Sequence, residues 1–265
     1  MTIGVIGCGN MGSALIRGMV ESRAVPASRI VAWDSDSKRL LAIARKLKIG
    51  MARSNREVAG CSVIVLAVKP QQMGQVLAEI RPHLGHRPLL LSIAAGIPTG
   101  WIERRAGRGV PVVRVMPNTP ALVGKGISAL SLGRSAGPRH RKVAERIVGS
   151  VGEVIPLEER WMDAVTALSG SGPAYFFFLM EQMMEAGVRL GLKPAVARRL
   201  VLATAQGAAE LALQSDEEPG VLRARVTSKG GTTEAVFKVF ARGKLGQVIQ
   251  AGIRAAARRA KELKS

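Results

Sequence analysis

Gly7-Cys8-Gly9-Asn10-Met11-Gly12 follows the apolar run Ile3–Ile6 directly and leads into Ser13-Ala14-Leu15-Ile16-Arg17-Gly18, which reads as a helix start. Glycines at this spacing between a strand and a helix suit the pyrophosphate of a dinucleotide. Gly7 permits the tight turn, Gly9 lets the backbone approach the phosphates, and Gly12 lets the helix pack closely on the strand. The unpaired N–H groups of the first helical turn then face the phosphates, and the helix dipole adds to the attraction. Asp34 ends the next strand, where a carboxylate normally accepts the ribose hydroxyls of NAD. Ser35, Ser37, Lys38 and Arg39 follow at once and carry the donors and charge that bind a 2′-phosphate.

Two more loops carry polar groups: Leu168-Ser169-Gly170-Ser171-Gly172-Pro173-Ala174 and Val226-Thr227-Ser228-Lys229-Gly230-Gly231-Thr232-Thr233. Amides and hydroxyls in such loops can hold a small carboxylate without a buried cation. The same residue types also serve ordinary turns and helix caps, and both readings stay open. His83, His86 and His140 lie in loop-like or polar contexts and read as surface residues. No His/Cys cluster has metal-ligand spacing, so no metal is expected. No G-x-S-x-G elbow supports a hydrolase.

The elements that must position these residues fall into two regions. Strands are expected at 29–33, 62–68, 88–93, 112–116 and 127–132 after the first at Ile3–Ile6, with helices at 38–47 and 72–80 between them. The unbroken apolar run at 62–68 suits a strand buried on both faces. Alternating strands and helices predict a Rossmann-like, doubly wound parallel sheet with its ligand at the carboxyl ends of the strands. Near Glu158 the strand signal stops. Helices are expected at 173–190, 194–214 and 245–264, the first apolar nearly all round through Tyr175-Phe176-Phe177-Phe178 and hence buried on every side. The chain therefore divides into an α/β dinucleotide-binding domain over 1–158 and an all-α domain over 159–265. A helix so apolar needs more neighbours than this second domain easily provides, which points to a dimer interface.

Composition narrows the functional classes. The 265 residues carry a formal net charge of +20, with 39 Lys and Arg against 19 Asp and Glu. The basic residues are scattered in twos and threes, without an arginine-rich tail or aromatic stacking motif, so specific nucleic-acid binding is not expected. Cys8 and Cys61 read as reduced, cytoplasmic thiols. No signal peptide is indicated. The uncharged stretch 164–180 is too short, and too broken by Ser-Gly-Ser-Gly-Pro, for a membrane span.

Taken in order, Ile6-Gly7-Cys8-Gly9-Asn10-Met11-Gly12, Ala67-Val68-Lys69-Pro70-Gln71, Ser92-Ile93-Ala94-Ala95-Gly96, Arg114-Val115-Met116-Pro117-Asn118-Thr119-Pro120, the 168–175 loop and 226–233 after Glu218-Pro219-Gly220 resemble the pyrroline-5-carboxylate reductases. The resemblance covers residues 2 to 262. It implies reduction of a cyclic imine to L-proline, the last step of proline biosynthesis. It further implies that Ile6, Gly7, Cys8, Gly9, Asn10, Met11, Asn55, Ala67, Val68, Lys69, Pro70, Ile93, Ala94 and Ala95 line an NADP(H) site. Ser228, Gly230, Gly231, Thr232 and Thr233 match the substrate loop, whose amides hold the pyrroline carboxylate, and Thr233 matches the threonine beside the imine nitrogen. Asp216 falls where some relatives carry a substrate-side glutamate, and Arg225 where some carry a cofactor-contacting asparagine. A homodimer or a ring of dimers is implied as well. Family habit and the cations after Asp34 favour NADP(H), with NAD(H) also accepted. A β-hydroxyacid dehydrogenase shares this layout but needs a lysine base on the first helix of the second domain, and 170–180 contains none. A non-catalytic cofactor-binding regulator or a polyanion binder is the alternative from another class, against which stand the intact Gly-Gly-Thr-Thr and the diffuse charge.

Overall fold

The computed structural model describes residues 1–262; Leu263, Lys264 and Ser265, and with them the end of the expected 245–264 helix, lie outside the described residues. Among these residues the strands are β1 (Ile3–Ile6), β2 (Ile30–Trp33), β3 (Gly50–Met51), β4 (Val63–Leu66), β5 (Leu89–Ser92), β6 (Val112–Met116), β7 (Gly126–Leu132) and β8 (Gly152–Pro156). They form one sheet in the order β3-β2-β1-β4-β5-β6-β7-β8. The helices around it are α1 (Asn10–Glu21), α2 (Ser37–Leu47), α3 (Asn55–Val58), α4 (Pro70–Ile80), α5 (Thr99–Ala106), α6 (Pro138–Val148) and α7 (Met162–Val165).

Alternation along the strands builds two cores. Val63 and Val65 point into one, with Leu15, Ile16 and Met19 of α1 and Ile147 of α6. Ile64 and Leu66 point into the other, with Met73, Leu77 and Ile80 of α4 and Ile102 of α5. This is why β1, β4 and β5 are apolar at nearly every position: both faces are covered. β1 pairs with β2 on one side and β4 on the other, all parallel. The chain thus winds outwards in both directions from β1, and the crevice at its carboxyl end is the ligand position of such sheets.

The sheet is not wholly parallel, as the alternating pattern had suggested. β6 and β7 are antiparallel. Only a short helical turn, Thr119–Val123, joins them, and a parallel return would need a much longer crossover. β3 and β8 carry no clear strand signal in the sequence, since the first has two residues and the second is half exposed.

Contacts divide the chain into one unit of Met1–Ser171 plus the segment from Ala256 onwards, and a second of Gly172–Ala255. The composition shift at Glu158 lies before this division because 159–171 packs with the sheet. Glu159 accepts hydrogen bonds from the Thr99 amide (2.7 Å) and Thr99 hydroxyl (2.6 Å), capping α5 from sixty residues away. It also pairs with Arg114 on β6, at 3.3 Å.

The second unit contains α8 (Gly172–Arg189), α9 (Pro194–Gln214), α10 (Pro219–Arg225), α11 (Thr232–Arg242) and most of α12 (Leu245–Glu262). The aromatic run of α8, expected to be buried on every side, is open in the single chain: Phe176, Phe177 and Phe178 are 65%, 62% and 62% exposed. The other helices of the unit leave it uncovered in the single chain.

Arg114 is 1% exposed, so removing its partner strands a buried charge. Glu159→Ala is expected to lower unfolding stability by about 3–5 kcal/mol, read from the denaturant midpoint. A loss within about 0.5 kcal/mol, the range of ordinary surface changes, would show that the pair contributes little.

Candidate active site

A cavity of about 400 Å³ opens at the carboxyl ends of β1, β2 and β4. It gathers Ile6, Gly7, Gly9, Asp34, Ser35, Asn55, Ala67, Val68 and Lys69 from the expected residues, together with Arg39. Backbone hydrogen bonds hold the strand-end loops in step: Gly7 N–H to Trp33 O at 2.8 Å, and Ala67 N–H to Ile6 O at 2.8 Å. Cys8, Asn10, Met11, Gly12 and Pro70 do not line the cavity, although they flank it in the chain. Ile93, Ala94 and Ala95 follow β5, one strand further along, and are also outside its wall.

The three glycines of the first loop have distinct environments. Gly7 has φ +99°, and a Cβ there would come within 2.5 Å of the Ala67 carbonyl oxygen. At Gly12 a Cβ would strike the Gly7 carbonyl oxygen, so the helix approaches the strand only without a side chain. Nothing lies within 4 Å of a Cβ at Gly9, which borders the cavity. α1 begins there with no side-chain cap, leaving its first-turn N–H groups for an anion. A dinucleotide pyrophosphate fits this cradle.

The Asp34 carboxylate is turned into the protein. Oδ2 accepts the Cys8 amide at 2.6 Å and the Arg39 guanidinium at 3.4 Å, while Oδ1 accepts the Asp36 amide at 2.8 Å. Asp36 caps α2 through the Lys38 and Arg39 amides, and with the Arg39 and Lys38 charges these bonds lower its pKa, led by the Arg39 amide.

α4 supplies a wall that sequence reasoning missed: Gln72, Gln75, Val76 and Glu79, with Trp33 opposite in the chain at the end of β2. Their i, i+3, i+4, i+7 spacing puts them on one helix face, which was the available signal. Glu79 accepts from Asn55 Nδ2 (2.7 Å) and Gln75 Nε2 (3.0 Å), fixing the Asn55 amide. Asn55 Oδ1 is buried without a partner.

The 226–233 loop lies in the second unit. Gly230 N–H donates to Glu234 Oε2 at 2.8 Å and Gly231 N–H to Ser228 O at 3.0 Å, so both amides are already engaged within the loop. α11 then starts at Thr232, again without a side-chain cap. Its unengaged backbone donors are the first-turn amides, those of Thr232, Thr233 and Glu234, beside the exposed Ser228. Asp216 is exposed in the link between α9 and α10. The Arg225 guanidinium is held by Glu217.

Residues 159–263 match the family model described as pyrroline-5-carboxylate reductase dimerisation, and residues 2–96 match that of NADP oxidoreductase coenzyme F420-dependent. Pyrroline-5-carboxylate reductase of Pseudomonas aeruginosa is 44% identical over 98% of this chain and 96% of its own length. That of Pisum sativum is 38% identical over 99% and 96%. The chain belongs to the pyrroline-5-carboxylate reductase family. A solved reductase from Coxiella burnetii matches with TM-score 0.93 and 36% identity over 100% of this chain and 98% of that one. The Plasmodium falciparum pyrroline carboxylate reductase, solved with NADP bound, matches with TM-score 0.91 and 32% identity over the same shares.

In this family member two of the three histidines have structural work. His140 Nδ1 accepts the Gly137 amide at the start of α6, and His86 Nε2 meets the Cys61 carbonyl, both at 3.0 Å. No group of three or more His, Cys, Asp or Glu among the described residues is arranged to hold a metal. No described helix is long and apolar enough to cross a membrane.

Burial, and then the Asp34 charge, push the Cys8 thiol from 9.0 up to about 12, and burial likewise raises Cys61. A raised folded pKa contributes stability that is fully present below the unfolded value. That contribution is lost as the pH climbs through 9 towards 12. At neutral pH both thiols are expected to resist iodoacetamide in the folded protein and to react together on unfolding. Rapid labelling of native Cys8, located by peptide mass, would contradict its burial.

Proposed function

We propose that the chain is a pyrroline-5-carboxylate reductase in action as well as in descent, reducing the C=N bond of 1-pyrroline-5-carboxylate to L-proline. The whole-length likeness to the Pseudomonas aeruginosa reductase carries this reading. NADPH, when bound, supplies the hydride for the imine carbon, and the nitrogen takes one proton. The open cradle at Gly9 and the uncapped start of α1 support binding of its pyrophosphate. Asn10, Met11, Gly12 and Pro70 shape that cradle and the neighbouring turn, and Ile93, Ala94 and Ala95 serve the nicotinamide half. In the second unit the Thr232 and Thr233 amides and the Ser228 hydroxyl hold the substrate carboxylate, with Asp216 on the substrate side. The Thr233 hydroxyl steadies the imine nitrogen. An imine nitrogen is basic enough to be bound protonated, so orientation and exclusion of water do most of the work. That accounts for a reductase two of whose three histidines serve elsewhere.

The decisive assay is loss of reduced-nicotinamide absorbance on adding pyrroline-5-carboxylate. No oxidation at micromolar enzyme would overturn the assignment. A side chain at position 231 would collide with Ser228 Oγ, so Gly231→Val is expected to cut kcat/KM by about 100-fold with NADPH affinity near wild type. Wild-type turnover in that variant would move the substrate site elsewhere.

We also infer a homo-oligomer, a dimer or a ring of dimers, in which the open apolar faces of α8 and α9 meet a second copy. The match of 159–263 to a dimerisation model supports the pairing. Residence in the cytoplasm suits two unpaired thiols. Sedimentation at micromolar concentration is expected to show no folded, active species of 28.1 kDa; finding one would refute the assembly.

A further inference from the structure

We propose that Arg39, and not the carboxylate of Asp34, decides between nucleotides with and without a 2′-phosphate, and that Asp34 is a positioning residue holding both Arg39 and the Gly7-Cys8-Gly9 loop. This rests on the reading of the 400 Å³ cavity as the nucleotide site.

The usual rule assigns an acidic residue at the end of the second strand to the ribose hydroxyls, which makes it a repellent for a 2′-phosphate. A grip on two vicinal hydroxyls needs an open lone pair on each carboxylate oxygen. Asp34 lacks this. Oδ2 has two lone pairs, and the Cys8 amide and the Arg39 guanidinium occupy both. Oδ1 already takes the Asp36 amide, and the residue is only 7% exposed. Its negative charge is spread over two amides and a guanidinium, which weakens any repulsion of an incoming phosphate.

Arg39 is built the other way. It lines the cavity and is half exposed, and its two carboxylate contacts use one terminal nitrogen each, Nη1 to Asp34 and Nη2 to Asp36 at 3.2 Å. A guanidinium has five N–H donors, so Nε and a second donor on each terminal nitrogen remain. The two aspartates therefore hold the fork in place without exhausting it. A 2′-phosphate can add to this arrangement, and its double charge is answered by a cation already ordered, which lowers the entropic cost of binding. A nucleotide without that phosphate finds no equivalent partner there.

The test compares adenosine 2′,5′-bisphosphate with 5′-AMP by calorimetry on the full chain without substrate. Wild type is expected to bind the bisphosphate about 10- to 100-fold tighter. Arg39→Ala should abolish that ratio while moving 5′-AMP by less than about threefold, and Arg39→Lys should restore part of it, charge without the fork. Asp34→Asn should weaken both nucleotides together, because the loop loses its anchor. An unchanged ratio in Arg39→Ala overturns the proposal. So does Asp34→Asn if it weakens 5′-AMP while strengthening the bisphosphate, the signature of a ribose acceptor. Failure of wild type to bind either nucleotide would overturn the cavity's assignment, and the proposal with it, whereas the two variant outcomes strike the proposal alone.

Discussion

The Cys8 amide and the Asp34 carboxylate, 2.6 Å apart, tie the loop after β1 to the end of β2. Much of the candidate site depends on that bond. A carboxylate accepting from a backbone amide makes a short, strong hydrogen bond, stronger still where water is excluded. It fixes the loop whose Gly9 backbone must stay open, and it leaves Gly7 and Gly12 to set how closely α1 approaches the sheet. The same carboxylate adds to burial in raising the Cys8 pKa, so the thiol stays protonated well above neutral pH. One buried acid thereby shapes a phosphate cradle and also orders the arginine next to it.

Around this bond the sheet serves as a frame. Parallel pairing of β2, β1, β4 and β5 brings the loops after four strands to one edge, and the two cores lock each strand from both faces. Cavity walls come from loops, while their precision comes from packed strands behind them. α4 contributes differently, by presenting Gln72, Gln75 and Glu79 along one face. Glu79 spends its carboxylate on Asn55 and Gln75, which holds both side-chain amides in place at the cavity wall.

Local features of both fold and site were legible in the sequence. The glycine spacing, the apolar strands and the helix start at Pro194 each declare themselves within a few residues, and the matching strands and helices stand where expected. What could not be read depends on partners far along the chain. The antiparallel turn of β7 follows from the length of one connection. Glu159 caps α5 and pairs with Arg114 across distances of sixty and forty-five residues, and no local pattern marks it. Asp34 is the instructive case. Its position was evident, but the direction of a carboxylate depends on which amides surround it, and one of the two, that of Cys8, belongs to the loop after another strand. The engaged amides of Gly230 and Gly231 differ in kind: their partners Glu234 and Ser228 are local, but glycine and serine spacing alone does not say which loop amides close on the chain itself.

The second unit reverses the sheet's economy of burial. Its helices leave Phe176, Phe177, Phe178, Leu213, Val239 and Val248 exposed in the single chain, and contiguous apolar surface of this kind marks an interaction site. Burying a side chain of this kind yields about 1.5–3 kcal/mol, so covering several of them offsets the entropy of bringing two chains together. Local propensity does not object to the exposed state, since alanine, leucine and methionine hold α8 and α9 helical whether or not they are covered. Helicity and burial are therefore separable in this region. The helices can form within one chain, and in a homo-oligomer that covers their apolar faces the stability of the unit depends on protomer concentration.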